Sequence, residues 1–301
     1  MWNSPRRALR YPGRVSVQPL RVRRHESELG AWELVSREPQ PRLRDFVAGY
    51  CGYVERGTRP LRRRELPSGD VVVILSFGPS ILVSDPERGG AVARRTSFVA
   101  GLHGEHSVTE HDGAQHGLQL NLTPLGASAF LGAPAGEVAG RVVDLEDALG
   151  AEAPALLEQL HGLPTWEARF DGLEEHMAAR LAGLRPSSPD VAWAWGRLTE
   201  TQGRVTVAEL AAELRCSRRH LAARFREQVG LPPKAAARIL RFDRAARALR
   251  SGAHPSLAEL ARDCGYFDQS HFNRDFQAFS GWSPTELAAR LLPDGGGLAG
   301  A

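Results

Sequence analysis

Apolar and polar positions change texture twice along the chain. From Ala31 to about Asn121, short β-like runs, VVVILSF (71–77), SILV (80–83), TSFVAG (96–101) and GLQLNL (117–122), are separated by Gly, Pro, Asp and Ser turns. This pattern predicts an antiparallel β domain, with a small barrel as one form of closure. After Gly140 the spacing becomes helical, with Leu145, Leu149, Leu156, Leu157 and Leu160, then Phe170, Leu173, Met177 and Leu181, on recurring faces. The segment RPSSP (185–189) then punctuates the chain. From Asp190 to about Leu292 the pattern is one of short helices of roughly 8 to 18 residues. The division expected is a disordered basic tail over 1–30, a β-then-helix domain over 31–185, a linker over 186–189, an all-α domain over 190–292 and a mobile Gly/Ala-rich tail over 293–301. The fold class is α+β.

The all-α region contains an internal repeat. Thr206-Val-Ala-Glu209 and Ser256-Leu-Ala-Glu259 both fit a capping box, in which an N-cap hydroxyl and an N3 carboxylate each satisfy a free backbone donor. VAELAAEL (207–214) parallels LAELARDC (257–264). A turn with one extra residue in the second copy follows, and the offset shifts from 50 to 51: Leu221 matches Phe272, Phe225 matches Phe276, Gly230 matches Gly281 and Pro233 matches Pro284. Each copy is a helix, a tight turn and a second helix opened by Ser217 or Asp268, which makes two helix-turn-helix units. The apolar pair of each second helix lies four residues apart and points inward, leaving Arg218, Arg219 and Arg224 in the first copy, and Gln269, Ser270, Asn273 and Arg274 in the second, for a partner. Arginine reads guanine and Asn or Gln reads adenine in a major groove, so these residue types suit base reading. A helix from about Lys234 to Arg250, with Ile239, Phe242, Ala245, Ala246 and Leu249 inward, joins the units. Its 17 residues span about 26 Å, near the ~34 Å between successive major grooves on one DNA face.

Composition narrows the reading further. The chain has 301 residues, 42% hydrophobic and 24% charged, and its longest purely apolar run, Val71–Leu75, is far below the roughly 18 residues of a membrane span. No apolar h-region follows Arg6, Arg7 and Arg10, so a cytoplasmic protein is expected. Cys51, Cys216 and Cys264 are scattered and form no CxxC pair, which predicts reduced thiols, with Cys264 buried in the second turn. The net charge of +3 divides into +7 over 1–25, −8 over 26–189 and +4 over 190–301, so the C-terminal part is the one suited to a polyanion.

Residues 190–292 resemble the DNA-binding domain of AraC/XylS-type bacterial transcription regulators. The second unit, A-x-x-C-G-Y-x-D-x-S-H-F-N-R-x-F-x-x-x-x-G-x-S-P from Ala261 to Pro284, follows that family's signature almost position for position. The resemblance implies base contacts at Arg219, Ala222 and Ala223 in the first unit and at Ser270, Asn273 and Arg274 in the second. Ala222 and Ala223 depart from the usual polar or basic residues. More weakly, PSGDVVVILSF (67–77) and HGLQLNLTPLGASAFLG (116–132) resemble the cupin-like sensory domains that precede this module. The implied function is a sequence-specific transcription regulator, an activator or a repressor. Its implied partners are double-stranded promoter DNA, a small effector on the N-terminal domain, RNA polymerase and a second copy of the chain.

A second reading comes from His103, His106, His111 and His116, which lie within 14 residues of each other: a metal-dependent cupin-like enzyme tethered to DNA. The intervals lack the H-x-H plus acidic ligand pattern, so pocket or surface histidines are expected, with no metal and no cofactor. The chain contains no GxSxG elbow, Walker loop or HExxH motif, and no catalytic residue is assigned. Trp193 and Trp195 read as core, His220 and His271 as helix neighbours or phosphate contacts, and Arg62, Arg63 and Arg64 as a solvated guard on a sheet edge.

Overall fold

The computed structural model describes residues 18–28, 30–85, 89–183, 188–252, 256–291 and 298. The N-terminal part contains strands β1 (Arg21–Ser27), β2 (Gly30–Arg37), β3 (Val47–Gly57), β4 (Leu61–Glu65), β5 (Val71–Ser76), β6 (Ile81–Asp85), β7 (Ala91–Arg95), β8 (Phe98–Ala100), β9 (Ser107–His111), β10 (Ala114–Leu122) and β11 (Val142–Asp144). Helices α1 (Pro124–Leu131), α2 (Leu145–Leu149), α3 (Glu152–Gly162) and α4 (Trp166–Ala182) complete it. The strands form two antiparallel sheets, one in the order β1-β2-β3-β10-β5-β8-β11 and the other β4-β9-β6-β7.

At β5 the larger sheet is covered on both faces, by the helical core on one side and the second sheet across a cavity on the other, which is why β5 reads as an unbroken apolar run. Side chains alternate along a strand. Val71, Val73 and Leu75 of β5, and Leu118, Leu120 and Leu122 of β10, enter a core shared with Phe130, Leu156, Leu160, Phe170 and Met177 of the helices. Val72 and Ile74, with Gln119 and Asn121, face the opposite way into a cavity. Helix α4 is fixed on the sheet by buried Glu174, which accepts hydrogen bonds from Tyr50 Oη at 2.6 Å and Arg37 Nη2 at 2.9 Å.

The C-terminal part is all-helical: α5 (Pro189–Glu200), α6 (Val207–Glu213), α7 (Arg218–Val229), α8 (Pro233–Ser251), α9 (Leu257–Asp263), α10 (Gln269–Ser280) and α11 (Pro284–Ala289). The apolar core of the first helix-turn-helix unit, with Leu198, Leu210, Leu221 and Phe225, is continuous with that of the β domain. The second unit has its own core, where Phe242 and Leu249 of α8 meet Leu260, Phe272, Phe276 and Trp282.

Five expectations change. Of the tail expected to be disordered over 1–30, residues 21–27 form β1, because Val22 and its neighbours pair with β2 through the Ser27–Gly30 turn; residues 1–17 lie outside the described residues. Of the C-terminal tail over 293–301, only Leu298 is described, and it is buried, bridging Leu291 and accepting a hydrogen bond from the Arg64 amide. In the segment 186–189, Ser188 and Pro189 open α5 rather than serving as a linker, and 186–187 lie outside the described residues. Helical structure begins at Pro124, capped by Thr123, earlier than the Leu spacing suggests. Finally, β4 is an edge strand, but neither Arg63 nor Arg64 is a solvated guard: Arg63 pairs with Glu55, and Arg64 reaches the second helix-turn-helix unit.

Candidate nucleic-acid interface and internal cavity

Each helix-turn-helix unit is built by local rules legible in its sequence. Helix α6 opens with a complete capping box, in which Thr206 Oγ1 accepts from the Glu209 amide and the Glu209 carboxylate accepts from the Thr206 amide at 2.8 Å. At α9, Ser256 Oγ accepts from the Glu259 amide at 3.2 Å and donates to the Glu259 carboxylate at 3.1 Å. Turns of the same form follow. The Cys216 amide donates to the Ala211 carbonyl at 3.0 Å and the Tyr266 amide to the Ala261 carbonyl at 2.9 Å. The preceding residue is left-handed in both units, Arg215 at φ +52° and Gly265 at φ +79°, a conformation that glycine adopts without steric cost. Ser217 and Asp268 cap α7 and α10 by accepting from the amides three residues on. Gly230 and Gly281 end these helices in the left-handed region, and Pro233 and Pro284 start the next ones.

Leu221, Phe225, Phe272 and Phe276 are buried as expected. Arg218, Arg219 and Ala223 are exposed on α7, whereas Ala222 and Arg224 are half-buried. On α10, Gln269, Ser270, Asn273 and Arg274 are all exposed, and Arg274 Nε donates to the Ser270 carbonyl at 3.3 Å, which sets its guanidinium along the exposed face. The two faces are held by α8, whose 19 residues span about 28 Å. Arg238 of α8 donates to the Asp275 carboxylate on the inner side of α10, with Nη2 at 2.6 Å and Nε at 3.2 Å. That tie was missed from sequence, although an acid inside the otherwise apolar inward face of α10 was its signal. His271 packs edge-on against Tyr266 at 5.2 Å, a helix-neighbour role, while His220 is exposed. Trp195 is buried against Phe225, and Cys264 is buried.

The β domain grips both units. Gly136, in the 3-10 turn Ala135–Glu137, lies against the carbonyls that end α7; a β-carbon there would come within 2.3 Å of the Glu227 oxygen. At the second unit, Arg64 Nη1 donates to the Ser280 carbonyl at 2.6 Å, and its guanidinium lies 3.7 Å from the centroid of the Trp282 ring, a close cation–π contact at the end of α10.

Between the two sheets and α8 lies a cavity of about 430 Å³. Its wall is apolar at Val72, Ile74, Ile81, Val83, Phe98 and Val142. At one end Arg63 donates to both oxygens of Glu55 at 2.9 Å, and His111 Nδ1 accepts from the Gly113 amide at 3.1 Å. Burial lowers the His111 pKa, and because Nδ1 accepts from Gly113, the neutral ring carries its proton on Nε2, 3.5 Å from Glu55. At the other end Asp70, from the loop before β5, meets Asp243, Arg247 and Arg250 of α8. Asp243 pairs with Arg247 at 2.8 Å. Burial, then the charge of Asp243, pushes the Asp70 carboxyl up to about 6. The four histidines do not form one cluster: His103, whose ring bonds the Glu105 carbonyl, and His111 both line the cavity, His106 lies beside Gly281, and His116 contacts Phe77, Trp166 and Arg169. Among the described residues no three His, Cys, Asp or Glu side chains are grouped to hold a metal ion, and no helix is long and apolar enough to cross a membrane.

A double helix-turn-helix module joined to a two-sheet β domain is the architecture these observations define. Residues 210–290 match the family described as a helix-turn-helix domain, and residues 36–144 match a domain of unknown function (DUF6597). A protein of Streptomyces antibioticus described as an AraC-like transcription regulator is 38% identical over 88 residues, a match spanning 29% of each chain. Similar solved structures include ToxT from Vibrio cholerae O395 bound to (E)-4-(8-methylnaphthalen-1-yl)but-3-enoic acid (12% identity, 78% of this chain and 97% of that one, TM-score 0.49). Another is the C-terminal domain of AraT, a response regulator from Geobacillus stearothermophilus (25% identity, 36% and 93%, TM-score 0.34). The C-terminal part of this chain is a helix-turn-helix domain, and the Streptomyces and Geobacillus relatives named are described as regulators.

Proposed function

We propose that the protein is a sequence-specific transcription regulator that reads two successive major grooves with α7 and α10, under the control of a small molecule held in the β-domain cavity. Arg218, Arg219, Gln269, Ser270, Asn273 and Arg274 carry the direct reading, with Ala223 available for a thymine methyl. The observation that carries the control is the position of α8: one helix both spaces the two exposed helices and supplies Asp243, Arg247 and Arg250 to the cavity wall. A ligand there touches the spacer itself, so its binding energy can differ between two settings of the recognition helices, as any effector requires. Pairing of copies, contact with RNA polymerase and residence in the cytoplasm belong to the same reading.

The test is selection of binding sites from random duplex DNA with the full-length protein at stated salt. Two enriched blocks about one helical turn apart support reading by both units, and a doubled motif supports a dimer. A single block assigns base reading to α10 alone, and no enrichment overturns the proposal.

A further inference from the structure

The offset change in the repeat falls on one residue. Up to the turn the copies align at 50: the left-handed residues are Arg215 and Gly265, and the next amides, Cys216 and Tyr266, make the same hydrogen bond back to Ala211 and Ala261. From the N-caps Ser217 and Asp268 onward they align at 51. Phe267 is therefore the inserted residue, between Tyr266 and the cap of α10.

Its side chain is 94% exposed, far above the other exposed large apolar residues described, Val22 at 45% and Val92 at 62%. An apolar residue just before an N-cap ordinarily packs on the fourth helical residue. That residue, Phe272, is already covered by Tyr266, with ring centroids 5.0 Å apart, so the fold has no place for Phe267. It stands one residue before the cap Asp268 and two before Gln269, at the end of the helix that enters a groove first. The first unit has no counterpart, because Cys216, the equivalent of Tyr266, is followed directly by the cap Ser217.

We propose that Phe267 is a specificity-determining residue that packs on the C5-methyl of a thymine flanking the block read by α10. The proposal rests on the DNA-reading function above. The thymine methyl is the apolar group that a base pair presents in the major groove, and a phenyl ring joined to a line of hydrogen-bonding side chains is suited to it. The insertion makes the recognition asymmetric, with a flanking thymine selected beside one block only.

The experiment compares full-length wild type and Phe267→Ala in site selection, then measures binding to the selected duplex with the flanking thymine replaced by deoxyuridine, which removes only the methyl. Wild type is expected to enrich thymine beside one block and to lose about fourfold on deoxyuridine replacement, the worth of one buried methyl. Phe267→Ala should select the same blocks without that thymine, bind deoxyuridine and thymine duplexes equally, and keep the wild-type melting temperature. Identical motifs and deoxyuridine sensitivity for both proteins overturn the proposal. So does wild-type DNA binding by Phe267→Ala with loss of transcription in a reconstituted assay, which places the ring on RNA polymerase. If wild type enriches no sequence, the DNA-reading function has itself failed and the proposal falls with it, an outcome distinct from the other two.

Discussion

At the scale of single residues, the reading face and the cavity make different demands on side chains. Arg274 contributes nothing to the core and is restrained only by its bond to the Ser270 carbonyl, so Arg274→Ala should leave folding intact. Its cost of about 1–3 kcal/mol should appear in DNA affinity, with relaxed preference at one base pair; a uniform loss across unrelated sequences, read by competition binding, would assign it to phosphate instead. Asp70 shows the opposite case. Its carboxyl is raised to about 6 by burial and by Asp243, above the roughly 3.9 of an exposed aspartate. The folded protein therefore binds the proton more tightly than the unfolded chain. Stability from this group is full below about pH 4 and is lost as pH rises through about 6. Asp70→Asn should thus raise the melting temperature at pH 7, and the gap should close in melts below about pH 4. A melting temperature for Asp70→Asn below that of wild type at pH 7 would show instead that Arg247 holds the carboxylate charged.

At the scale of elements, the two units are docked by different devices, and each can be loosened alone. The end of α7 rests on Gly136, where a β-carbon would collide with backbone. Gly136→Ala should speed hydrogen exchange in the last turn of α7 and leave α10 unchanged, since α10 belongs to a separate core. Arg64→Ala removes a cation–π contact and a charged hydrogen bond from the end of α10, and should have the converse pattern. These elements also show what sequence could reveal. Caps, turns and the buried pairs Leu221/Phe225 and Phe272/Phe276 were legible because helix-turn-helix geometry is set within some twenty residues, and the repeat stated it twice. Strands β5, β6, β8 and β10 were legible as apolar runs between turns. Strand β1 was not, because RVRRHES has a single exposed valine and is held by its partner strand instead of its own burial. Arg64 and Asp70 were equally hidden: their partners lie more than 170 residues away, and a charged side chain carries no local sign of a distant ring or carboxylate.

At the scale of the whole molecule, the sequence suggests a border near residue 189, but the apolar core does not respect it. Leu198, Leu210, Leu221, Phe225 and Val229 belong to the same buried cluster as the β-domain residues Val73 and Leu120, through α1, α4 and the turn at Ala135–Glu137. Only the second unit encloses a core of its own. Cutting the chain at 186 would expose the side of α7 that meets the β domain, and burial of each large apolar side chain is worth about 1.5–3 kcal/mol. A fragment of residues 186–301 is therefore expected to keep α10 ordered and lose order in α7. Amide exchange should show protection confined to α8–α11, and site selection with the fragment should return one block where the full-length protein returns two. Two blocks from the fragment would mean that α5 and α8 alone hold the first unit. In that case a cavity ligand could act only through Asp243, Arg247 and Arg250 on α8, without the Gly136 contact. One block would make the β domain part of the reading machinery itself, and a ligand between the sheets would then reach α7 through the shared core as well as α8 through the cavity wall.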